Sequence, residues 1–386
     1  MASDPSRTFF PYGRQTISEQ DIQAVVHVLR SDYLTTGPMV SQFEQRLCEH
    51  TGARFASVYN SGTSALHGMY AAMGVGPGDQ IITSPLTFAA TANAAHYLGA
   101  TVKFVDVEPD TGNLDPVALA AAISPDTRLV VAVDFAGHPA DYDAIHQVAN
   151  ACGVPVVADA AHSMGATYRG RPVGTLCVAT EVSMHPVKPI TTAEGGAVLT
   201  DSEEIHAYAA RFRSHGMVRT PDAMNEYHGP WYMEQHDLGF NYRLTDVQCA
   251  LGVSQIGRLG EFIGRRQRIA DLYTELLADL PGIQLPTMRP DVRSGWHLYV
   301  IRTLDAAHRR PLFERLRELN VGVQVHYLPV YMHPWYRKNG YADVGCEQAE
   351  SIYWRSISLP IYPAMTDADV DEVVTRVREA VRERQA

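Results

Sequence analysis

The chain has 386 residues, 46% of them hydrophobic and 19% charged, a balance that predicts a substantial buried interior and excludes a disordered chain. A net charge of -11 excludes an extended phosphate-binding surface, because nucleic-acid backbones are held by clustered cations. The five cysteines stand singly, which argues against a zinc site or a disulfide framework. With no basic, apolar leader in "MASDPSRTFFPYG" and no membrane-length apolar run, the expected setting is the cytoplasm.

From about residue 55, short apolar runs alternate with amphipathic stretches, the pattern of βαβ units. "FASVY" (55–59) reads as a strand and "TSALHGMYAAMG" as the helix after it. The strands "QIITS", "TVKFVDV", "RLVVAVDF" and "VPVVADA" then alternate with helices around 88–98, 115–123 and 140–152. Runs such as "LVVAV" are apolar on both faces, as in a largely parallel sheet covered by helices on both sides. "GAVLT" adds a strand, and a polar loop over about 216–240 leads to one long helix that Thr245 or Asp246 can cap. That helix carries "GRRQR" at 264–268, the densest basic cluster, expected on an exposed face. After "LPGIQLP", the segments "GWHLYVIRTL", a helix over about 310–319, "GVQVHYLPVY" and a closing helix from 366 predict a smaller α+β domain. The expected fold class is α/β, with a large domain over 1–255 and a small one over 256–386, the N-terminal segment being free to pack on the small domain.

Arginine supplies nearly all the positive charge, 29 residues against the three lysines Lys103, Lys188 and Lys338. Lys188 lies between Pro186 and Pro189 and precedes Gly195 and Gly196. A lysine amine can lose its proton and attack a carbonyl, which a guanidinium cannot. In "NSGTSAL" (60–66), Gly62, Thr63 and Ser64 at a helix N-terminus form a small anion cradle, although taken alone the stretch reads as a plain cap. Asp159 ends "VPVVADA", at the strand edge where ligands of parallel sheets bind, and Asp134 at the end of "LVVAVDF" competes on equal positional grounds. Asp159 and His162 form a D-x-x-H pair with no third ligand at a recognisable spacing, so no metal is expected. Phe88 in "PLTFAATAN" reads alone as core, but beside a cradle, an acid and a lone amine it becomes a candidate ring-stacking partner. Phosphate cradle, acid, flat partner and amine are together what pyridoxal 5'-phosphate requires.

The order of "LTTGPMVSQFEQRL", "NSGTSAL", "DAAHSMGATYRG", "HPVKPITTAEGGAV", "RSHGM", "GFNYRLTDVQCALG", "VHYLP" and "SLPIYP" resembles the DegT/DnrJ/EryC1/StrS family of sugar aminotransferases over most of the chain. The resemblance implies a fold-type I pyridoxal-phosphate enzyme with a large PLP-binding domain and a smaller C-terminal one. It implies Lys188 as the Schiff-base lysine, Asp159 on the pyridine nitrogen, Phe88 against the ring and His162 beside it. Gly62, Thr63 and Ser183 would bind the phosphate, joined by Asn241 from the second subunit of a homodimer, and His326 and Tyr327 would face the sugar nucleotide. "SMHPVKPITTAEGGAV" and "VDFAG" are most similar to members on the pseudaminic acid route, although Met184 stands where the family usually has Phe. The implied reaction moves an amino group from L-glutamate to a UDP-linked 2-acetamido-2,6-dideoxy-4-hexulose. The alternatives are a different keto sugar or aminocyclitol precursor and, more remotely, a non-catalytic cofactor-binding regulator.

Overall fold

Before the first strand the chain forms two helices, α1 (Glu19–Leu29) and α2 (Pro38–Thr51), in the computed structural model, which describes residues 8–383. The first seven residues of the N-terminal stretch and the last three of the expected small domain lie outside the described residues. Neither helix was expected, yet each has a local cause: Ser18 and Asp21 form a capping box for α1, and Pro38 occupies the first turn of α2.

The predicted alternation follows: β1 (Phe55–Tyr59), α3 (Gly62–Ala72), β2 (Gln80–Thr83), α4 (Ala90–Tyr97), β3 (Thr101–Phe104), α5 (Pro116–Ala122), β4 (Thr127–Val133), α6 (Tyr142–Ala151) and β5 (Val156–Asp159). A small hairpin of β6 (Thr167–Tyr168) and β7 (Arg171–Pro172) precedes β8 (Ala179–Ser183), β9 (Gly196–Thr200) and α7 (Glu203–Phe212). The main sheet runs β1-β9-β8-β5-β4-β2-β3, parallel from β8 to β3, with β9 antiparallel to both of its neighbours. Along β4, Val130 and Ala132 enter one core with Phe43, Leu119 and Ile145, while Leu129 and Val131 enter another with Met69, Ala92 and Ile205. Helices therefore cover both faces, which is why these strands read as continuous apolar runs.

The polar loop contains the two-stranded pair β10 (Met217–Val218) and β11 (Glu234–Gln235). Beyond it, the single long helix expected from Thr245 is two helices, α8 (Asp246–Ile256) and α9 (Leu259–Leu277), interrupted at Gly257 and Arg258. Thr245 caps α8 through a capping box with Gln248. Asp246 instead accepts hydrogen bonds from Gly37 N (2.7 Å) and Met39 N (2.9 Å), tying down the start of α2. Periodicity does not distinguish one helix from two in line, and a glycine is where a break costs least.

The remainder comprises β12 (Ile283–Gln284), β13 (Val292–Arg293), β14 (Tyr299–Thr303), α10 (Arg309–Glu318), the single turn α11 (Pro334–Tyr336), α12 (Glu347–Arg355), β15 (Ser356–Leu359) and α13 (Asp367–Arg382). Strands β12, β14 and β15 form a sheet backed by a third core that includes Ile269, Leu312 and Val373. Phe10 joins this core and donates its N–H to Asn320 O at 3.0 Å, so the N-terminal segment packs on the C-terminal elements. We propose a domain boundary near 255–256; along α9, Leu259, Phe262 and Ile263 still enter the sheet's core, and the residues from Ile269 enter the third.

The basic cluster is exposed only in part: Gly264 and Arg268 face solvent, but the middle arginine turns inward. Arg266 is buried, and one of its terminal nitrogens donates to Trp296 O (3.0 Å) and Ile361 O (2.9 Å), while the other lies 3.5 Å from Val187 O, beside Lys188. Burial pushes its pKa down to about 10. Because the carbonyls stay behind when the side chain is removed, Arg266→Leu should destabilise the fold by roughly 2–4 kcal/mol. Urea unfolding of both proteins checks this, and an unchanged midpoint would contradict the bracing role.

Candidate active site

Strands β5 and β8 end side by side on Asp159 and Ser183, and both residues line a cavity of about 490 Å³, a volume suited to a small cofactor. One wall is the start of α3, where Ser61, Gly62 and Thr63 face the space. The hydroxyl of Ser61 caps the helix by accepting from Ser64 N. Ser64 was expected to add a hydroxyl to the cradle, but its Oγ donates to Asn60 Oδ1 at 2.7 Å and is spent inside the cap. Glycine is required at two points of close approach. A Cβ on Gly62 would stand 2.5 Å from Glu181 Oε1 and 3.1 Å from Ser183 Cβ, and one on Gly196 would stand 2.6 Å from Gly62 N. With no side chain in the way, the first N–H groups of α3 are open to an anion.

The two competing acids separate clearly. Asp134 is closed off from the cavity by three donors, accepting from Ala140 N (2.9 Å), Tyr142 Oη (2.8 Å) and Ser163 Oγ (2.5 Å), and burial pushes its pKa up to about 6. Asp159 accepts from Thr91 Oγ1 (2.6 Å) and Ala161 N (3.2 Å) and lines the cavity. It therefore has acceptor capacity left for a ligand.

Lys188 projects into the same space from the turn after β8, where its backbone N–H donates to His185 O at 2.9 Å. Burial pushes its pKa down to about 8, against the opposing charge of Asp159. Phe88 precedes α4 and is 64% exposed, which rules out the core reading; its ring lines the cavity 6.5 Å from that of Tyr327. His162 Nε2 lies 3.0 Å from Tyr327 Oη, and burial holds the imidazole well below its ordinary pKa, so it is neutral. His326 and Tyr327 also line the cavity, with His326 Nδ1 2.8 Å from Ser358 Oγ. Asn241 does not line the cavity of its own chain; it is exposed and bridged to Ser214.

Sequence reasoning missed Tyr12, Glu181 and His297, all of which line the cavity. Tyr12 comes from the N-terminal segment, and nothing near it in sequence signals a site. Glu181 carried a signal: it lies two residues before Ser183 on one strand and so shares its face. His297, whose ring centroid lies 4.3 Å from that of His162, is a polar residue ahead of the apolar β14. Among the described residues, no group of three or more His, Cys, Asp or Glu side chains forms a metal site. No helix among them is long and apolar enough to cross a membrane.

An open helix N-terminus cleared by glycine, a carboxylate with spare acceptors, an exposed aromatic face and an amine of lowered proton affinity fit pyridoxal phosphate. Residues 15–378 match the DegT/DnrJ/EryC1/StrS aminotransferase family. The chain is 40% identical over 381 residues to the spore coat polysaccharide biosynthesis protein SpsC of Bacillus subtilis, covering 97% of each. It is 38% identical over 363 residues to the UDP-4-amino-4,6-dideoxy-N-acetyl-beta-L-altrosamine transaminase of Campylobacter jejuni, covering 93% of this chain and 94% of that one. Helicobacter pylori PseC, an aminotransferase involved in the biosynthesis of pseudoaminic acid, superposes with a TM-score of 0.92 at 31% identity, over 97% of this chain and 100% of that one. Further solved matches at 28% identity include PLP and PMP forms of one protein. The chain belongs to the DegT/DnrJ/EryC1/StrS aminotransferase family and is a PLP-dependent transaminase.

Proposed function

We propose that this transaminase moves an amino group from L-glutamate to the keto carbon of a 4-keto-6-deoxy nucleotide sugar, UDP-linked 2-acetamido-2,6-dideoxy-4-hexulose. The observation that carries the reading is the meeting of Lys188, Asp159 and the cradle at 61–63 in one cavity. The sugar is supported by likeness to the Campylobacter transaminase and to PseC. SpsC, at 40% identity, favours a second reading in which the acceptor is a keto sugar of another polysaccharide.

Bound here, pyridoxal phosphate supplies a carbonyl carbon that carries nitrogen between the two substrates and a ring that takes up electrons when a C–H bond breaks. Gly62, Thr63 and Ser183 would hold its phosphate, Phe88 would lie against its ring, and His162, which braces Tyr327, would sit beside it. The carboxylate of Asp159, oriented by Thr91 and Ala161, balances the positive charge of the ring nitrogen. Lys188 Nζ would anchor the cofactor at rest. Released by the amino donor, it takes the proton from the donor's α-carbon and later delivers one to the former keto carbon of the sugar. His326 and Tyr327 face the sugar nucleotide.

Asn241 would reach the phosphate of a second copy's site, making the working unit a homodimer. The arm that precedes it exposes Trp231 by 76% and Leu238 by 84%, apolar surface that a partner subunit would cover.

Lys188→Ala should lower turnover by ~10³-fold or more and lose the visible absorption of lysine-bound cofactor, and normal turnover would sink the assignment. In cofactor-free protein, the rate of pyridoxal phosphate attachment should rise with pH through about 8 and then level, since only the unprotonated amine attacks. A rise that continued to the ordinary lysine range near 10.5 would show that burial does not tune this amine. Co-expression of Lys188→Ala with Asn241→Ala chains should restore about a quarter of wild-type activity, because half of the dimers then hold one intact site. No recovery, with dimers present by sedimentation, would refute the shared site. After glutamate has converted the cofactor to its amino form, one keto sugar from a UDP-linked panel should restore the original spectrum. Restoration by none of the panel would remove the sugar assignment and leave the transaminase.

A further inference from the structure

Strand β8 carries one acid, Glu181, in a run otherwise made of Ala179, Thr180, Val182 and Ser183. It is buried and lines the cavity, and neither of its carboxylate oxygens receives a hydrogen bond from any N–H or hydroxyl group. Oε1 lies so close to Gly62 that a Cβ there would be 2.5 Å away, which sets this carboxyl beneath the anion cradle. Across the parallel ladder its register partner is Asp159, so the two acids sit side by side on neighbouring strands and both line the cavity. Two ionised carboxylates side by side and shielded from water repel strongly, and one shared proton would remove the repulsion while supplying the missing donor. The surroundings decide which acid holds it. Asp159 already accepts from Thr91 Oγ1 and Ala161 N, whereas Glu181 accepts from none and is the carboxyl left without a partner.

We propose that Glu181 is a positioning residue that stays protonated and donates to Asp159, so that the two acids present a single negative charge to the cofactor ring. This deepens, and rests on, the reading of Asp159 as the partner of the ring nitrogen. Burial, then the Asp159 charge, push the Glu181 carboxyl well above the usual carboxylate range, with Lys188 opposing. Tyr70 of α3 also faces the pair and stays neutral because burial and both acids raise its pKa, while Tyr142, Tyr327 and Asp134 feel the Asp159 charge and are themselves raised by burial. On the far side, β9 offers only Gly196, Ala197, Val198, Leu199 and Thr200, none of them ionisable. A carboxylate has about four acceptor positions. Thr91, Ala161 and Glu181 occupy three on Asp159, leaving one for the ring.

The first test needs no cofactor. Infrared spectra of the cofactor-free protein near neutral pH should show a protonated-carboxyl C=O band that is lost in Glu181→Gln, and absence of that band difference overturns the proposal. The second test follows, in the loaded protein, the pH midpoint at which the visible absorption of the bound cofactor changes. That midpoint reports how firmly the site holds positive charge. Glu181→Val removes the donor and concentrates charge on Asp159, so the midpoint should rise by roughly one pH unit, while Glu181→Gln keeps a donor and should stay near wild type. A fall in both variants would mean that Glu181 is an ionised carboxylate, and no change in either would mean that it does not act on the ring; both overturn the proposal. The Lys188→Ala spectrum judges the cofactor reading separately, so the two failures are distinguishable.

Discussion

Taking an amine out of water weakens its hold on a proton, and the site is built around doing this to Lys188 beside two acids. Burial lowers the proton affinity of the lysine so that its neutral form, the one able to take up a proton, is accessible near neutral pH. The Asp159 charge pulls in the opposite direction, and the balance lands at about 8. The three groups come together because β5 and β8 are adjacent and parallel, so that both strands and the turn after β8 deliver side chains to one edge of the sheet. Arg266 approaches this turn from behind through the Val187 carbonyl, linking the C-terminal elements to the position of the amine.

Asp134 and Asp159 show how little a strand-end position says by itself. Asp159 ends β5 and Asp134 directly follows β4, its parallel neighbour in the same sheet. Asp134 meets a tyrosine, a serine and a backbone N–H and becomes a closed internal brace. Asp159 meets one threonine, one N–H, the neighbouring Glu181 and open space. A carboxylate whose acceptors are filled by the protein holds structure, and one with acceptors to spare can hold a ligand.

Much of this was legible along the chain. The alternation of apolar runs and amphipathic stretches located the main sheet, because strand and helix periods and helix caps are set by near neighbours. Thr245 was read correctly as a cap for the same reason. Lys188, Gly62 and Ser183 stood out through composition, spacing and resemblance, and the structure places them around one cavity with Asp159. The misreadings have the opposite character. Ser64 was assigned to the cradle, but its hydroxyl is used inside the cap. Arg266 was assigned to an exposed face, but its partners are carbonyls 30 and 95 residues away.

By itself, then, the sequence determined which chemical groups were available and roughly where along each strand or helix they sit, since those patterns repeat over a few residues. The tertiary structure decided which of two equivalent acids faces the cavity, that Phe88 lies on its surface, and that Glu181, in an ordinary-looking strand, shares the floor of the site with Asp159. Those outcomes depend on strand order and on approaches of about 3 Å between segments far apart in the chain. Burial, hydrogen bonding and proton affinity are fixed only once such neighbours are in place.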